Sequence, residues 1–278
     1  MRWTGRQGSG NVLDRRGLGG PLAVGGGLIG VVALLLNFLM GGEVDLSQLA
    51  PADQQRPLSI EEKAREDELA QFTSVVLKET ENVWHQVFAA AGREYIEPKL
   101  VLFSGAVSSA CGSAGAATGP FYCPGDHQLY LDLSFYDELR TRFGAPGDLA
   151  MAYVVAHEVG HHVQTLLGIT DKLEQLRAQG ADEQTYNTYS VRFELQADYF
   201  AGVWAHHTAK KDLLEAGDIE EALRAANAIG DDRIQRETQG RVIPESFTHG
   251  TSAQRMYWFK KGYESGDFAG GDTFNSKP

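Results

Sequence analysis

Hydrophobic and polar positions divide the chain into an N-terminal segment, an uncharged apolar stretch and a long C-terminal part. The stretch Pro21 to Gly42 contains no charged residue. A helix of this length, about 33 Å, is enough to cross a bilayer core of about 30 Å. We therefore predict a transmembrane helix at residues 21–42, preceded by a basic head at residues 1–20.

A cleaved signal peptide is the alternative interpretation of this stretch, because its most apolar part, Leu28 to Met40, has the length of a signal-peptide core. Cleavage needs small residues at positions −3 and −1, and Leu39 and Met40 occupy the expected −3 positions. An uncleaved, single-pass anchor is favoured. Arg15 and Arg16 precede the stretch, so the positive-inside rule predicts a cytoplasmic N-terminus in the cell (inner) membrane, with the rest of the chain periplasmic or extracellular.

Residues 43–58 are polar and contain Pro51 and Pro57, as is typical of a linker. Ser59 followed by Glu62 fits a capping box, and apolar positions recur from there at helical spacing up to Gly92. Residues 99–104 and 128–133 have the pattern of short strands, and the remainder is mostly helical. The sequence predicts an α+β domain at residues 59–278, mostly helical with a small sheet.

Two cysteines, Cys111 and Cys123, flank a loop rich in small residues between the two strands. In an exported domain they are expected to form a disulfide. A zinc site on the same cysteines and a pair of free thiols are the alternatives, but only Asp126 and His127 lie close enough in sequence to complete a zinc site.

The charge distribution excludes a general nucleic-acid binder. The whole chain carries −12. Four arginines and one aspartate give the first 20 residues +3, which leaves −15 for the rest. Proteins that bind nucleic acid generally need clustered Lys and Arg, so no nucleic-acid partner is expected.

Residues 157–161 fit the H-E-x-x-H pattern of zinc peptidases. His157 and His161 lie one turn apart on one face of a predicted helix, so both imidazoles can bind one Zn²⁺. Glu158 lies beside them, where it can act as general base on a zinc-activated water. The surrounding helix is apolar on most sides, so these polar groups would be buried and need partners. The alternative is a pair of core histidines bonded to backbone carbonyls. His162 lies off the ligand face and is left out of the predicted site.

A catalytic zinc site needs a third protein ligand. Gln164 and Leu167 stand where the extended metzincin motif requires Gly and His, so this ligand must come from elsewhere. Glu194 is the best candidate, on a second apolar helix predicted from about Thr185 to His207. Asp198, one turn further on, is expected to orient His157 by accepting its N–H. His206 and His207 are the alternative ligands.

With these motifs, the chain resembles the bacterial neutral zinc metallopeptidase family, a gluzincin-type group of membrane-anchored proteins. The resemblance rests on H-E-V-G-H-H-V-Q, E-L-Q-A-D and G-P-F-Y-C-P, with the starting residues MRWTGRQGSGNV and the late stretch F-T-H-G-T-S-A-Q-R. It implies a zincin-like fold, one Zn²⁺ per chain on His157, His161 and Glu194, and Glu158 as base.

Two finer expectations concern the substrate. His249, followed by Arg255, is similar to the His…Arg segment of membrane-associated gluzincins and is expected to stabilise the oxyanion; a structural histidine at a helix start is the alternative. Residues 128–133 are expected to pair with extended substrate, although an interior strand would have the same pattern.

The sequence therefore predicts a membrane-anchored zinc endopeptidase that hydrolyses protein or peptide substrates. A zincin-fold binding or scaffold module with a structural zinc is the alternative. The presence of Glu158 favours catalysis.

Overall fold

The computed structural model describes residues 1–17 and 59–276. The predicted transmembrane helix at residues 21–42 and the predicted linker at residues 43–58 lie outside these described parts. Among the described residues, no helix has the length and apolar character needed to cross a membrane.

The described parts form a mostly helical α+β fold, as predicted. The helices are α1 (Ile60–Ala90), α2 (Phe135–Thr141), α3 (Asp148–Leu166), α4 (Thr170–Ala178), α5 (Glu183–Ala209), α6 (Asp218–Ala228), α7 (Asp231–Gln239) and α8 (Ser252–Ser265). The strands are β1 (Val12–Asp14), β2 (Lys99–Phe103), β3 (Ala106–Ser109), β4 (Gly112–Gly115), β5 (Phe121–Cys123) and β6 (Gln128–Asp132). The capping box at Ser59 and Glu62 starts α1, and both of its hydrogen bonds are formed.

The main sheet has four strands in the order β1-β2-β6-β5, and β3 and β4 form a separate hairpin. Neighbours β1, β2 and β6 are parallel, whereas β5 runs antiparallel to β6 at the edge. Alternation along β2 sends Leu100 and Leu102 into the helical core, while Val101 and Phe103 pack on the opposite face. One face of the sheet therefore lies against the helices.

The predicted division at residue 20 is not observed, because residues 1–17 are part of the same folded unit. Strand β1 pairs with β2 from Val12 to Asp14. Arg6 bonds Glu79 at 3.2 Å, and Arg16 bonds Asp67 at 3.0 Å. Arginines of the predicted basic head therefore form ion pairs with acidic residues of the domain.

Helix α5 is central to the helical layer, where it packs against α3 on one side and α8 on the other. Glycines allow α5 to lie close to both of these helices. A Cβ at Gly160 of α3 would lie 3.0 Å from the backbone of Ala197, and a Cβ at Gly262 of α8 would lie 2.1 Å from the Tyr199 carbonyl oxygen. The short distance between α3 and α5 brings their polar side chains together.

The expectation that residues 128–133 pair with substrate is wrong. Strand β6 has β2 on one side and β5 on the other, so both of its edges are used. The edge strand is β5. The predicted disulfide is confirmed: it joins Cys111, at the tip of the β3–β4 hairpin, to Cys123 at the end of β5.

Candidate metal centre and active site

Helices α3 and α5 bring together the three predicted ligands. His157, His161 and Glu194 each direct one ligand atom to a common point, and these atoms all lie within 4.8 Å of one another. The Glu194 carboxylate lies between the rings, with Oε2 3.1 Å from His157 Nε2 and Oε1 3.5 Å from His161 Nε2. All three side chains are largely buried.

Hydrogen bonds at the Nδ1 atoms of the two histidines determine which ring nitrogens face the common point. Asp198 Oδ1 accepts from His157 Nδ1 at 2.8 Å. Gln164 Oε1 lies 2.8 Å from His161 Nδ1, and its amide nitrogen donates to the Phe193 carbonyl oxygen, so its oxygen faces the ring. Both Nδ1 atoms therefore carry protons, and both Nε2 atoms face the Glu194 carboxylate.

This donor set fits a zinc ion. Two imidazole nitrogens and a carboxylate are usual ligands of catalytic zinc, and bonds of about 2.1 Å in a tetrahedron place neighbouring ligand atoms about 3.4 Å apart. The two histidine-to-Glu194 distances, 3.1 and 3.5 Å, are close to that spacing, and the three ligand atoms together lie within 4.8 Å of one another. Phe193 stacks on His161, with ring centroids 4.9 Å apart, and limits rotation of that ring.

The charges around the centre favour cation binding. Burial lowers the pKa of His157, but Asp198 and Glu194 outweigh it and raise that pKa to about 9. Burial also disfavours the charged form of Glu194, yet the two histidines hold its pKa well below the usual range. Without a metal the site would thus hold a proton between ring and carboxylate, and a divalent cation replaces that proton.

Behind the ligands, Asp198 and Arg255 form a buried ion pair. Arg255 donates to Asp198 through Nε at 2.8 Å and Nη2 at 3.0 Å, and the Tyr153 hydroxyl also donates to Asp198. Burial raises the pKa of Asp198, but Arg255 and His157 more than reverse this and bring it to about 2. Asp198 is therefore ionised at neutral and mildly acidic pH. Its hydrogen bond keeps the proton of His157 on Nδ1.

The metal centre opens into a cleft of about 600 Å³. Strand β5 lines one wall, α4 and the first turns of α5 line the other, and Glu158, His161 and Glu194 lie between them. Burial raises the pKa of Glu158, although the two histidines partly oppose this rise. A carboxylate with a raised pKa is a better general base near neutral pH.

His249 lines the same cleft, although it lies far from the metal centre in sequence. Asp231 positions it, because the backbone N–H groups of Thr248, His249 and Gly250 all donate to Asp231 Oδ2. Asp231 Oδ1 lies 3.2 Å from His249 Nδ1, and among the described residues no group hydrogen-bonds to Nε2. Burial lowers the pKa of His249, but the hydrogen bond to Asp231 and the charge of Glu194 raise it above its usual value.

Among the described residues, no other histidine joins the ligand set. His206 and His207, the alternative ligands, bond the backbone oxygens of Tyr263 and Gly266 towards the end of α5. His162 is completely buried, and burial lowers its pKa to about 4, so its ring is neutral.

Sequence reasoning did not identify Asp231, Tyr153 or Gln164 as partners of the site. Gln164 is three residues after His161, so helical spacing could have found it. Tyr153, four residues before His157 on α3, could have been found in the same way, whereas Asp231 is brought in by another helix and carries no local signal.

Comparison with known proteins is consistent with this geometry. Residues 1–274 match the model of the family described as "Putative neutral zinc metallopeptidase". The uncharacterized protein YpfJ of Escherichia coli K12 is 50% identical over 289 aligned residues, which cover 99% of both chains. The uncharacterized protein Rv2575 of Mycobacterium tuberculosis H37Rv is 48% identical over 193 residues, covering 66% of this chain and 64% of its own. No solved structure matches the chain.

Proposed function

The chain belongs to the neutral zinc metallopeptidase family, and on this premise we propose that it is a zinc-dependent endopeptidase. One observation carries the proposal: two imidazole lone pairs and a carboxylate converge beside Glu158 between the walls of an open cleft. A buried structural zinc needs neither an open cleft nor a neighbouring carboxylate that is not a ligand.

Each residue of the site has its own role in peptide hydrolysis. His157, His161 and Glu194 would hold zinc, which when bound supplies a Lewis acid that polarises the carbonyl and favours deprotonation of water. Glu158 accepts the proton of the attacking water and delivers it to the leaving amine. Protonated His249 donates from Nε2 to the oxygen on which negative charge develops, and Asp231 holds the ring in place.

Strand β5 supplies the substrate-binding edge in this proposal. It pairs with β6 on one side only and lines the cleft on the other. An extended peptide can add to such an edge through main-chain hydrogen bonds, with its side chains reaching α4 and α5 across the cleft. Protein or peptide substrates are therefore expected.

The proposal includes attachment to a membrane through residues 21–42, with the catalytic domain and, because β1 pairs with β2, also residues 1–17 on the same side of that membrane, in a periplasmic or extracellular compartment. The uncharged apolar sequence supports the attachment. The Cys111–Cys123 disulfide supports an oxidising compartment, because such bonds are rare in the cytosol.

The test compares the full-length protein in detergent with Glu158→Gln. Glutamine has the size of glutamate but cannot accept the proton, and it leaves the three ligands intact. We expect about one zinc per chain by mass spectrometry in both proteins, and cleavage of an unbiased peptide library by the unsubstituted protein alone.

Two results would contradict the proposal. Zinc in both proteins with cleavage by neither would favour a binding or scaffold module. Failure of either protein to bind zinc would refute the metal site itself.

A further inference from the structure

His162 follows the ligand His161 directly but projects to the other side of α3. It is completely buried, and both ring nitrogens are engaged. Nε2 donates to the Ile96 carbonyl oxygen at 2.7 Å, so Nδ1 of the neutral ring accepts. The group that faces Nδ1, at 3.0 Å, is the Tyr122 hydroxyl.

Tyr122 is the central residue of β5, the edge strand beside the metal centre. It lies opposite Leu129 of β6 and lines the cleft. Its ring also meets the His162 ring edge-on, with centroids 5.4 Å apart. The hydrogen bond and the ring contact therefore join the edge strand to the helix that carries Glu158.

Strand β5 depends on side chains for its position, because it is three residues long and has a strand partner on one side only. Each residue has its own anchor. Phe121 stacks on Tyr130 with centroids 4.8 Å apart, and Cys123 is bonded to Cys111. Both of these anchors lie within the sheet and its hairpin. Among the three, Tyr122 is the residue whose side chain hydrogen-bonds to α3.

We propose that His162 is a positioning residue that, through the Tyr122 hydroxyl, holds the β5 edge at a fixed distance from Glu158. The proposal rests on the proposed peptidase function and deepens it, because β5 is the edge expected to bind substrate. Neither His162 nor the Tyr122 hydroxyl takes part in the chemical step. Their loss therefore weakens substrate binding more than catalysis.

The test is Tyr122→Phe, which removes the hydroxyl and keeps the ring. Loss of one such hydrogen bond is expected to raise KM about two- to tenfold, with kcat within about twofold and zinc content unchanged. Tyr136→Phe is a matched control, because the Tyr136 hydroxyl also has a buried partner 3.0 Å away, Thr73, but lies outside the cleft. This control is expected to leave KM unchanged.

Participation of His162 is tested by a double-mutant cycle. His162→Asn and Tyr122→Phe are combined, and their effects on KM should be smaller together than the product of the two single effects if His162 acts through Tyr122. Independent effects would show that Tyr122 acts without His162 and would overturn the proposal. A merely structural role would lower the active fraction, and hence apparent kcat, at unchanged KM.

A second measurement does not depend on peptidase activity. Hydrogen exchange at the β5 amides should be faster in Tyr122→Phe than in the unsubstituted protein and the Tyr136→Phe control. Unchanged exchange would refute the positioning role even if the protein cleaves peptides. Faster exchange in a chain that cleaves nothing would support the role while the proposed function failed.

Discussion

At the scale of the residue, the carboxylates around the cleft have separate tasks because their surroundings differ. Glu194 faces two imidazole rings and stays ionised, whereas burial raises the pKa of Glu158 towards the range of a general base. Asp198 pairs with Arg255, and Asp231 accepts three backbone N–H groups. Neighbouring charges and burial, more than residue type, determine what each carboxylate can do.

His249 leads to a prediction about pH. Its Nδ1 faces Asp231, so donation from Nε2 requires the doubly protonated ring, which exists below its raised pKa. We expect kcat/KM to fall as pH rises through that pKa. In His249→Gln this alkaline limb should disappear, because an amide does not titrate, and kcat/KM near neutrality should fall about ten- to a hundredfold.

The measurement is the pH profile of kcat/KM, with zinc content determined in parallel. His85→Gln is the matched control, since His85 also faces a carboxylate, Glu97 at 2.8 Å, but lies on α1 outside the cleft. An alkaline limb that persists in His249→Gln would show that another group titrates.

The sequence predicts some of these residues and not others, for a physical reason. His157, Glu158 and His161 lie within one helical turn and a half, so their spacing is enough to place them together. Glu194 could be found because a carboxylate on an apolar helix needs a partner. Asp231 begins α7, and His249 lies 18 residues later in the loop that precedes α8, so only the folded structure makes them neighbours.

At the scale of the element, the separation of α3 and α5 determines whether the ligands meet. Gly160 lies between His157 and His161 on the face where α3 approaches Ala197, and Glu194 lies one turn before Ala197. Gly160, within the H-E-x-x-H pattern, is therefore also needed for the close packing of α3 against α5. A side chain there would push apart the two helices that carry the ligands.

Gly160→Ala is expected to weaken zinc binding about tenfold or more. The new Cβ would lie 3.0 Å from the Ala197 backbone, so α5 must shift by a few tenths of an ångström and take Glu194 with it. Competition with a chelator measures the zinc dissociation constant. Gly10→Ala adds the same methyl group where no atom lies within 4 Å and should leave it unchanged. Equal constants in all three proteins would show that this contact does not set the ligand geometry.

Long elements were predictable and short ones were not. The capping box and helical spacing place α1 within two residues of its observed ends, and residues 99–104 and 128–133 correspond to β2 and β6. Strands β1 and β5 have three residues each, too few for a period to be visible. The choice of β6 as the substrate strand failed because an alternating pattern cannot distinguish an edge strand from an interior one.

At the scale of the whole molecule, the described residues form one unit from both sides of the undescribed stretch. Strand β1 is hydrogen-bonded to β2, and Arg16 reaches Asp67 near the start of α1. The sequence could not show this, because arginines ahead of an apolar stretch are equally a topological signal and a set of counter-charges.

This arrangement predicts how two distant positions respond to a membrane-impermeant thiol reagent in intact cells. Both native cysteines are in the disulfide, so a single introduced cysteine is labelled uniquely. Arg15→Cys, on the exposed N-terminal part, and Lys260→Cys, on exposed α8, should be labelled together or protected together. Labelling of only one would mean that β1 is not paired with β2 in the cell.

A lipid bilayer cannot pass between two strands that share hydrogen bonds. The pairing of β1 with β2 therefore assigns residues 1–17 to the same compartment as the active site, which is incompatible with a cytoplasmic N-terminus and an exported domain. If the domain is exported, its N-terminal strand is exported with it, and folding of the sheet must wait until both have arrived.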